Sequence, residues 1–544
     1  MVRLQPSLWL AVALLLISAP FAAMAQQSHF LADDPLLAVP EISVAAAPHE
    51  QDIDELYDFA YNSIKYKRPA PSPSLGINTL DEVPDSGWYT NRHAAHALSK
   101  DALKQGPRTT GAPVPPFTVV SAKTEGVTPG FRIRDQKDHL YFIKVDPQSN
   151  PEMSSAADVI GSLFFYALGY NVPENYILVA RREDFHLSPK ATITGVSGKK
   201  RTMHQGELDD VLDMVPRTVD GSIRLLASLA VSGKLIGPFL YDGTRGDDPN
   251  DLIPHQQRRD LRGLAIFCAW LNHTDAKGQN SMDSFQAIDQ HTVVKHYLID
   301  FGASLGSDSD IAKDPRHGRE FFVPEPSQLG RRAGTFGLHF ADWETVKYPH
   351  DLKAAGNITV QAFDPLLWRS NYPNSAFQAM LPADAYWAAS KVMAFSDEDI
   401  RAIVEEGRYT DPRVTDYLTK TLIARRDAIG RTYLLSSLPL DNLRIEDNQI
   451  AFTNIAAAHR LASEPTYSYR WFKWDNQANQ KADGTSGTAQ IPDSLGTSAD
   501  GYYIGCTIAD SKNQAQSVTT YFKHTSDGWK LVGVERTPPA IVLK

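Results

Sequence analysis

Cysteine is nearly absent from this chain of 544 residues, which contains only Cys268 and Cys506, far apart in sequence. Two such residues provide no disulfide framework, so the burial of apolar side chains must stabilise the fold. Neither cysteine has a histidine or a second cysteine at zinc-ligand spacing, and the sequence has no HExxH motif. No zinc site is therefore recognisable in the sequence.

The chain also lacks an excess of positive charge. Its 54 lysines and arginines are outnumbered by 64 acidic residues, which gives a net charge of −10. This balance argues against a general binder of nucleic acids or of anionic membranes. Hydrophobic residues make up 42% and charged residues 22%, as in ordinary globular proteins and unlike disordered or coiled-coil chains. At about 150 residues per domain, the length predicts about three domains.

Long apolar runs are confined to the N-terminus. An early cation at Arg3, an apolar run over residues 8–17 and small residues at Ala23 and Ala25 form the pattern of a signal peptide. This run is shorter than the ~20 residues of a membrane-spanning helix, and no later run is comparable. We therefore expect a signal peptide at residues 1–25 and an exported mature chain, periplasmic or extracellular, without a transmembrane segment.

Short β-rich segments dominate the region after residue 115. Residues 26–106 predict an N-terminal extension that packs on a domain and shows no recognisable chemistry. Three β-rich segments over residues 117–146, separated by turn residues, predict a small antiparallel meander. Asn150 and the following apolar residues at helical spacing predict a helix that stops at Gly169, and NYILVA predicts a further strand.

The second half of the chain changes character twice. Residues 206–435 are mostly helical in pattern, with one β-rich interruption and a capping box formed by Ser396 and Asp399. Beyond Pro439, aromatic-rich strands joined by turns predict a separate β domain. Its alternating aromatic residues either fill the core of that domain or form a face that contacts carbohydrate or the cell envelope. These residues are Tyr467, Tyr469, Trp471, Phe472 and Trp474.

The polar residues with the clearest chemistry follow a buried-looking helix, LRGLAIFCAWLN. They lie in HTDAKGQN and, after a turn-rich insert, at the end of the apolar strand VVKHYLIDFG. This order places Asp275, Asn280 and Asp300 at the ends of packed elements. Magnesium prefers oxygen ligands and usually takes one or two carboxylates plus substrate phosphates. A further carboxylate can orient or accept the proton of an attacking hydroxyl.

HTDAKGQN resembles the catalytic loop of the protein-kinase superfamily, H-x-D-x-K-x-x-N, and IDFG resembles the magnesium-binding motif that follows it. The resemblance covers about residues 115–435. It implies an α+β, bilobal kinase-like fold with a small β-rich lobe at 107–205 and a larger helical lobe at 206–435, followed by a C-terminal all-β domain at 440–544. HipA-type, phosphoinositide-kinase-like and spore-coat or Fam20-like secreted kinases are the relatives that it suggests.

The resemblance also implies roles for individual residues. It makes Asp275 the catalytic base and Lys277 a contact of the γ-phosphate. Asn280 and Asp300 become ligands of Mg²⁺, or of Mn²⁺ in its place. Lys144, in YFIKVD, resembles the strand lysine that holds the α and β phosphates of ATP.

Two acidic residues compete as the helix partner of Lys144. Asp158 lies eleven residues before Gly169, an offset that resembles that of the acidic residue in HipA-type kinases, and it lies off the apolar stripe of its helix. Glu152 would lie in the first helical turn, where it can complement the helix dipole without any role in a site. We therefore prefer Asp158.

Two parts of the protein-kinase pattern are missing. The phosphate-covering loop should lie within AKTEGVTPGF, which has no G-x-G-x-x-G motif. Thr274, rather than arginine, precedes Asp275, so the arginine that usually binds a phosphorylated activation loop is absent. Control by such a phosphorylation is therefore not expected.

Two functions follow from these observations. The first is an exported atypical kinase that transfers the γ-phosphoryl group of Mg-ATP to an unidentified hydroxyl acceptor. The second is a catalytically idle kinase-like fold that binds a nucleotide or a partner at the cell envelope. Export favours this second function, because ATP is scarce outside the cytoplasm. The joint presence of Lys144, Asp275, Asn280 and Asp300 favours the enzyme.

Overall fold

The structure, a computed structural model, is a mixed α+β protein. It describes residues 28–67, 70–123, 130–194, 199–288, 291–323, 341–482, 484–495 and 500–543. The predicted signal peptide lies outside these ranges. Within them, no helix combines the length and the apolar character needed to cross a membrane.

The helices alternate with strands in the first half of the chain and cluster in the second half. They are α1 (Glu55–Ala60), α2 (Lys100–Gln105), α3 (Met153–Leu168), α4 (Gln205–Asp213), α5 (Arg259–Leu271), α6 (Ser375–Gln378), α7 (Pro382–Met393), α8 (Asp397–Glu405), α9 (Pro412–Leu434) and α10 (Ile455–Ala458). A π-helical turn, Tyr61–Lys65, continues α1.

The strands fall into four sheets. They are β1 (Phe117–Lys123), β2 (Gly130–Arg134), β3 (Leu140–Val145), β4 (Asn175–Ala180), β5 (Phe185–Thr194), β6 (Lys200–Thr202), β7 (Ile223–Leu229), β8 (Lys234–Leu235), β9 (Ser281–Ile288), β10 (His291–Leu298), β11 (Leu440–Glu446), β12 (Gln449–Asn454), β13 (Tyr467–Asp475), β14 (Gln480–Lys481), β15 (Thr485–Gly487), β16 (Tyr503–Asp510), β17 (Asn513–Thr525) and β18 (Gly528–Arg536).

The largest sheet has the strand order β4-β7-β3-β2-β1-β5-β6. Strands β1, β2 and β3 form an antiparallel meander, as the sequence predicts, whereas β1 also pairs in parallel with β5. Strand β7 belongs to the β-rich interruption that the sequence predicts within residues 206–435. It lies between β3 and β4 although it comes from beyond residue 205, where we expected the small lobe to end. The first five residues of β7 are buried, which suits an inner strand.

Helix α3 packs on this sheet and carries one of the predicted site residues. It begins at Met153, later than expected, because Glu152 has a left-handed φ of 68° and interrupts the helical backbone. Asn150 does not cap it; its side-chain amide donates to the carbonyl of Lys353. The helix ends at Gly169, whose φ of 120° disfavours other residue types.

Helix α5 is buried along its whole length, between α3, α7 and α9. Its apolar side chains belong to one hydrophobic core with those of α3, whereas the large sheet and α4 enclose a second core. The helix ends at Asn272, which has a left-handed φ of 52°, and the chain turns there into HTDAKGQN. The hairpin of β9 and β10 follows and delivers the chain to Asp300.

Residues beyond 439 form the β11-β12 hairpin and a sheet of order β14-β13-β16-β17-β18, with β15 added to β13. The four-residue helix α10 interrupts what the sequence predicts as an all-β region. Trp471, Phe472 and Trp474 are 0%, 3% and 8% exposed, respectively. These three rings are therefore buried, as the core alternative predicts, and the possible carbohydrate or envelope contact has no support.

Candidate active site

Lys144, Asp158 and Asp300 come together although 156 residues separate the first from the last. The Nζ atom of Lys144, on β3, lies 2.6 Å from Oδ1 of Asp300 and 3.1 Å from Oδ2 of Asp158 on α3. The side chain of Asp158 is 2% exposed, whereas those of Lys144 and Asp300 are 28% and 41% exposed. The cluster therefore has a buried side formed by α3 and an open side formed by Asp300.

Asp158 is fixed in place by more than the lysine. Its Oδ1 atom accepts hydrogen bonds from Nδ2 of Asn175 at 3.0 Å and from the backbone amide of Phe301 at 3.1 Å. Helix α3 approaches Phe301 closely because residue 161 is glycine; a Cβ atom there would lie 2.7 Å from the Cβ of Phe301. Asp158 thus orients Lys144 and anchors the backbone that follows Asp300.

Lys144 and Asp300 stabilise each other's charge, whereas burial, aided by the charge of Asp300, raises the pKa of Asp158 in spite of Lys144. Burial acts to lower the pKa of Lys144, but the carboxylates of Asp158 and Asp300 outweigh burial and raise it. Burial likewise acts to raise the pKa of Asp300, but Lys144 outweighs it and holds that pKa below its ordinary value. The lysine is therefore a cation and Asp300 a carboxylate at neutral pH.

Glu152, the competing partner of Lys144, lies elsewhere. It is the residue that precedes α3, and its carboxylate accepts hydrogen bonds from the backbone amide and the hydroxyl of Thr410. Asp158, rather than Glu152, is thus the acid beside Lys144.

Asp275, Lys277 and Asn280 form a second polar group in the loop after α5. Nδ2 of Asn280 donates to Oδ2 of Asp275 at 2.9 Å and to its carbonyl oxygen at 2.8 Å, and Nζ of Lys277 lies 3.4 Å from Oδ2 of Asp275. Burial raises the pKa of Asp275, while Lys277 and Asn280 oppose the rise. A buried carboxylate with a raised pKa is a stronger proton acceptor than an exposed one.

The two polar groups share a backbone connection. The amide of Ile299, next to Asp300, donates to the carbonyl of Asn280 at 3.0 Å. The negative charge of Asp300 also contributes to the raised pKa of Asp275. The six residues that the sequence predicts for the site are therefore brought into one region, between the large sheet and the helices.

The residues present fit a magnesium ion held jointly with phosphate. Asp300 offers a carboxylate, and the bonds of Asn280 to Asp275 use its amide nitrogen and not its amide oxygen. Within the described ranges no group of three or more His, Cys, Asp or Glu side chains is arranged to hold a metal. An ion at this place would therefore need phosphate oxygens to complete its coordination.

Lys277 has an additional partner that the sequence does not suggest. The carboxylate of Glu55, at the start of α1, accepts a hydrogen bond from Nζ of Lys277. Asp54 caps this helix by accepting from the amide of Tyr57 at 2.8 Å. The N-terminal extension thus lies against the loop after α5 and contributes an acid to it.

Asn371 and Lys313 also contact the loop and were missed in the sequence. The backbone amide of Asn371 donates to the carbonyl of Thr274 at 2.8 Å, and its Nδ2 lies 3.4 Å from Oδ1 of Asp275. Nζ of Lys313 donates to the hydroxyl of Thr274 at 2.9 Å. The hydroxyl of Thr274, at the position where many kinases have arginine, is therefore held by a buried lysine.

His273, the first residue of the motif, is buried behind the loop. Burial and the charge of Lys313 lower its pKa to about 3, so its imidazole is neutral at physiological pH. Its Nδ1 lies 3.1 Å from the hydroxyl of Ser304, and its ring lies against Phe301. It therefore joins the loop to the segment after Asp300. Of the segment predicted to hold the phosphate-covering loop, 122–131, residues 124–129 lie outside the described residues.

Comparisons with known proteins give only a faint likeness. No protein-family model and no curated protein matches the sequence. A crystal structure of the Golgi casein kinase is similar at 10% identity and a TM-score of 0.25, over 73% of this chain and 96% of that chain. A structure of the same kinase with Mn/ADP bound gives 10% and 0.25, over 73% and 95%.

A microcompartment-associated aminopropanol kinase is similar at 11% identity and a TM-score of 0.15, over 62% of this chain and 97% of that chain. Kinases thus recur among the solved structures that resemble this chain. TM-scores of this size do not establish a shared fold. The functional assignment must therefore come from the geometry of the site.

Proposed function

We propose that the protein is an exported atypical kinase that transfers the γ-phosphoryl group of Mg-ATP to a hydroxyl acceptor. The large sheet with α3 and α4 is the smaller of two lobes, the helices α5 to α9 belong to the larger one, and the nucleotide binds between them. The N-terminal sequence pattern supports export to the periplasm or the extracellular space.

One observation carries this proposal: the ion-paired cluster of Lys144, Asp158 and Asp300 lies beside the loop that holds Asp275 and Asn280. The Ile299 amide connects the two groups directly. A phosphate-binding cation, an oxygen-ligand pair for a metal and a proton acceptor are the components that phosphoryl transfer requires. They come from separate elements of the chain, and a purely structural ion pair needs no such set.

Each residue has a definable task in this reaction. Lys144 would bind the α and β phosphates, with Asp158 holding its side chain in place. Asp300 and the amide oxygen of Asn280 would hold magnesium, which neutralises phosphate charge when bound. Asp275 would accept a hydrogen bond from the acceptor hydroxyl and then its proton, and Lys277 would contact the transferred phosphoryl group. Catalysis then depends on positioning and charge.

The alternative, an idle nucleotide- or partner-binding scaffold, has one observation in its favour. Lys277 is paired with Glu55 of the N-terminal extension, and this carboxylate would repel an incoming γ-phosphate. The side chain of Glu55 is 64% exposed, so this partner is displaced at small cost. We therefore keep the enzyme as the proposed function.

Thermal unfolding with and without Mg-ATP tests the proposal. Wild type should melt at a higher temperature with Mg-ATP, because binding to the folded state stabilises it. Asp300→Ala should remove this shift, since it removes the carboxylate offered to magnesium. Asp310→Ala, in the same segment but outside the cluster, is the matched control and should keep the shift.

The outcomes separate the two functions. Equal shifts for wild type and Asp300→Ala would show that the proposed metal site is wrong. A shift that Asp300→Ala abolishes, without transfer of ³²P from γ-labelled ATP to any of a broad panel of hydroxyl acceptors, would favour the scaffold. Transfer that Asp275→Asn abolishes while Mg-ATP binding persists would establish the kinase.

A further inference from the structure

A polar cavity of about 420 Å³ lies away from the six predicted site residues. Its walls come from the loop after α2, the loop between α3 and β4, the connection after β7, and strand β10. Arg92, Lys295 and Tyr297 provide much of its polar lining. None of the residues assigned to the kinase reaction borders it, so the proposed function does not account for it.

Arg92 is fixed at one side of this cavity. Its Nη1 atom donates to the carbonyl oxygens of Tyr166 at 2.8 Å and Tyr170 at 2.9 Å, and its guanidinium lies 4.1 Å from the centre of the Tyr166 ring. These contacts use one of its two terminal nitrogens. The guanidinium is therefore held rigidly while it retains further donors.

Lys295 lies at the same cavity and is half-buried on β10. Throughout the ranges that the structure describes, its Nζ atom has neither a hydrogen-bond partner nor an ion-pair partner. Arg92 and Lys295 line the same cavity, and burial and then the charge of Arg92 lower the pKa of Lys295. Such an arrangement costs folding stability, and costs of this kind are typical of binding sites.

The acids whose charges act on the two cations are engaged elsewhere. Asp85 acts on Arg92, but its Oδ1 accepts from the backbone amide and the side-chain nitrogen of Asn91. Glu41 acts on Lys295, but its Oε1 accepts from the backbone amide of Gly87 at 2.6 Å. Glu174 lines the cavity, and its carboxylate accepts from the hydroxyls of Thr109 and Thr110 and from that of Tyr176. Among the residues that the structure describes, neither cation of this cavity is bonded to a carboxylate.

We propose that this cavity binds a small organic phosphate. Its dianionic group would lie between Arg92 and Lys295, since a guanidinium and an ammonium together match the charge and the acceptor oxygens of a phosphate monoester. The apolar part of the ligand would lie against Pro107, Val172 and Leu229, which line the same cavity. This site is separate from the proposed nucleotide cleft and does not depend on it.

Calorimetric titration of the full mature chain with phenyl phosphate tests the site, in EDTA and without nucleotide. One equivalent should bind to wild type. Lys295→Met should weaken binding by roughly tenfold or more, the effect of one lost charged hydrogen bond. Lys295→Arg should stay within roughly threefold of wild type, because it keeps the charge. Lys200→Met, at an exposed lysine of β6, is the control and should bind as wild type does.

Two further measurements exclude unfolding of the variant and binding at the proposed nucleotide site as explanations. The melting temperature of Lys295→Met should equal or exceed that of wild type, because the substitution removes repulsion from Arg92; loss of binding then cannot come from unfolding. Lys144→Met should keep the affinity for phenyl phosphate. Absence of binding to wild type, equal affinity in Lys295→Met, or loss of binding in Lys144→Met would each overturn the proposal. Failure of the Mg-ATP experiment alone would leave it standing.

Discussion

Two lysines, one in the proposed site and one behind its loop, differ in burial and in bonding. Lys313 is 1% exposed, and its Nζ donates to the Thr274 hydroxyl, to the carbonyl of Ala303 at 3.0 Å and to Oδ1 of Asp308 at 2.7 Å. Burial lowers its pKa by more than Asp308 raises it. All three protons of this ammonium are bonded within the protein, which leaves none for a ligand.

Lys144 is 28% exposed, and its two close partners are carboxylates, one of which opens to solvent. Those carboxylates raise its pKa, in contrast to that of Lys313. A lysine that the protein saturates stabilises the fold, whereas one that is held by acids at an open cleft is available to phosphate. Burial and bonding, rather than proximity to the loop, therefore distinguish the two roles.

The largest effect should come from the structural lysine. Asp308→Asn removes the carboxylate from buried Lys313 and leaves an uncompensated charge, which should cost about 3–5 kcal/mol of the free energy of unfolding. Urea denaturation measures this loss. Asp310→Asn, in the same segment, should change stability by less than about 0.5 kcal/mol. A loss below about 1 kcal/mol in Asp308→Asn would contradict the structural role of Lys313.

The stability lost in Asp308→Asn should depend on pH. Burial acts to raise the pKa of Asp308, but Lys313 and His317 outweigh burial and lower it. A carboxylate with a lowered folded-state pKa stabilises the fold above its ordinary pKa of 3.8, and this stabilisation is lost as the pH falls through the folded-state value. The stability difference between wild type and Asp308→Asn should therefore be full at pH 7 and shrink below the ordinary pKa.

Local patterns in the sequence predicted much of the fold. The segment YSYRWFKWD matches β13, and the capping box of Ser396 and Asp399 begins α8 as expected. The place of β7 within the large sheet was not predictable, because its neighbours β3 and β4 are chosen by packing rather than by adjacent residues. Short apolar strands specify burial but not their neighbours.

In the candidate site, too, local motifs could be recognised in the sequence, whereas contacts between distant residues could not. Motif spacing and a helical offset were sufficient to predict that Lys144, Asp158 and Asp300 belong to one site. Glu55 and Asn371 were missed, because they reach the loop across 222 and 96 residues and belong to no motif. Contacts of this kind depend on how a surface segment crosses the folded core, which no local pattern encodes.

An intermediate effect should come from Lys144. Lys144→Met leaves the buried Asp158 without its cation and should cost about 1–3 kcal/mol in urea denaturation, and it should abolish stabilisation by Mg-ATP. In the double variant with Asp158→Asn, most of the lost stability should return, because the neutral amide needs no cation. Stabilisation by Mg-ATP should stay absent. Equal Mg-ATP shifts in wild type and Lys144→Met would remove the functional distinction between the two lysines.

The smallest effect should come from Glu55, which distinguishes a displaceable acid from the fixed acids around Lys144. Glu55→Gln breaks an ion pair whose acid is exposed, and it should change the free energy of unfolding by less than about 1 kcal/mol. It frees Lys277 for phosphate, so ATP turnover should rise roughly threefold, which corresponds to less than 1 kcal/mol in the barrier. Glu50→Gln, earlier in the same segment, is the control. Slower turnover in Glu55→Gln would show that Glu55 positions Lys277 for catalysis and does not restrain it.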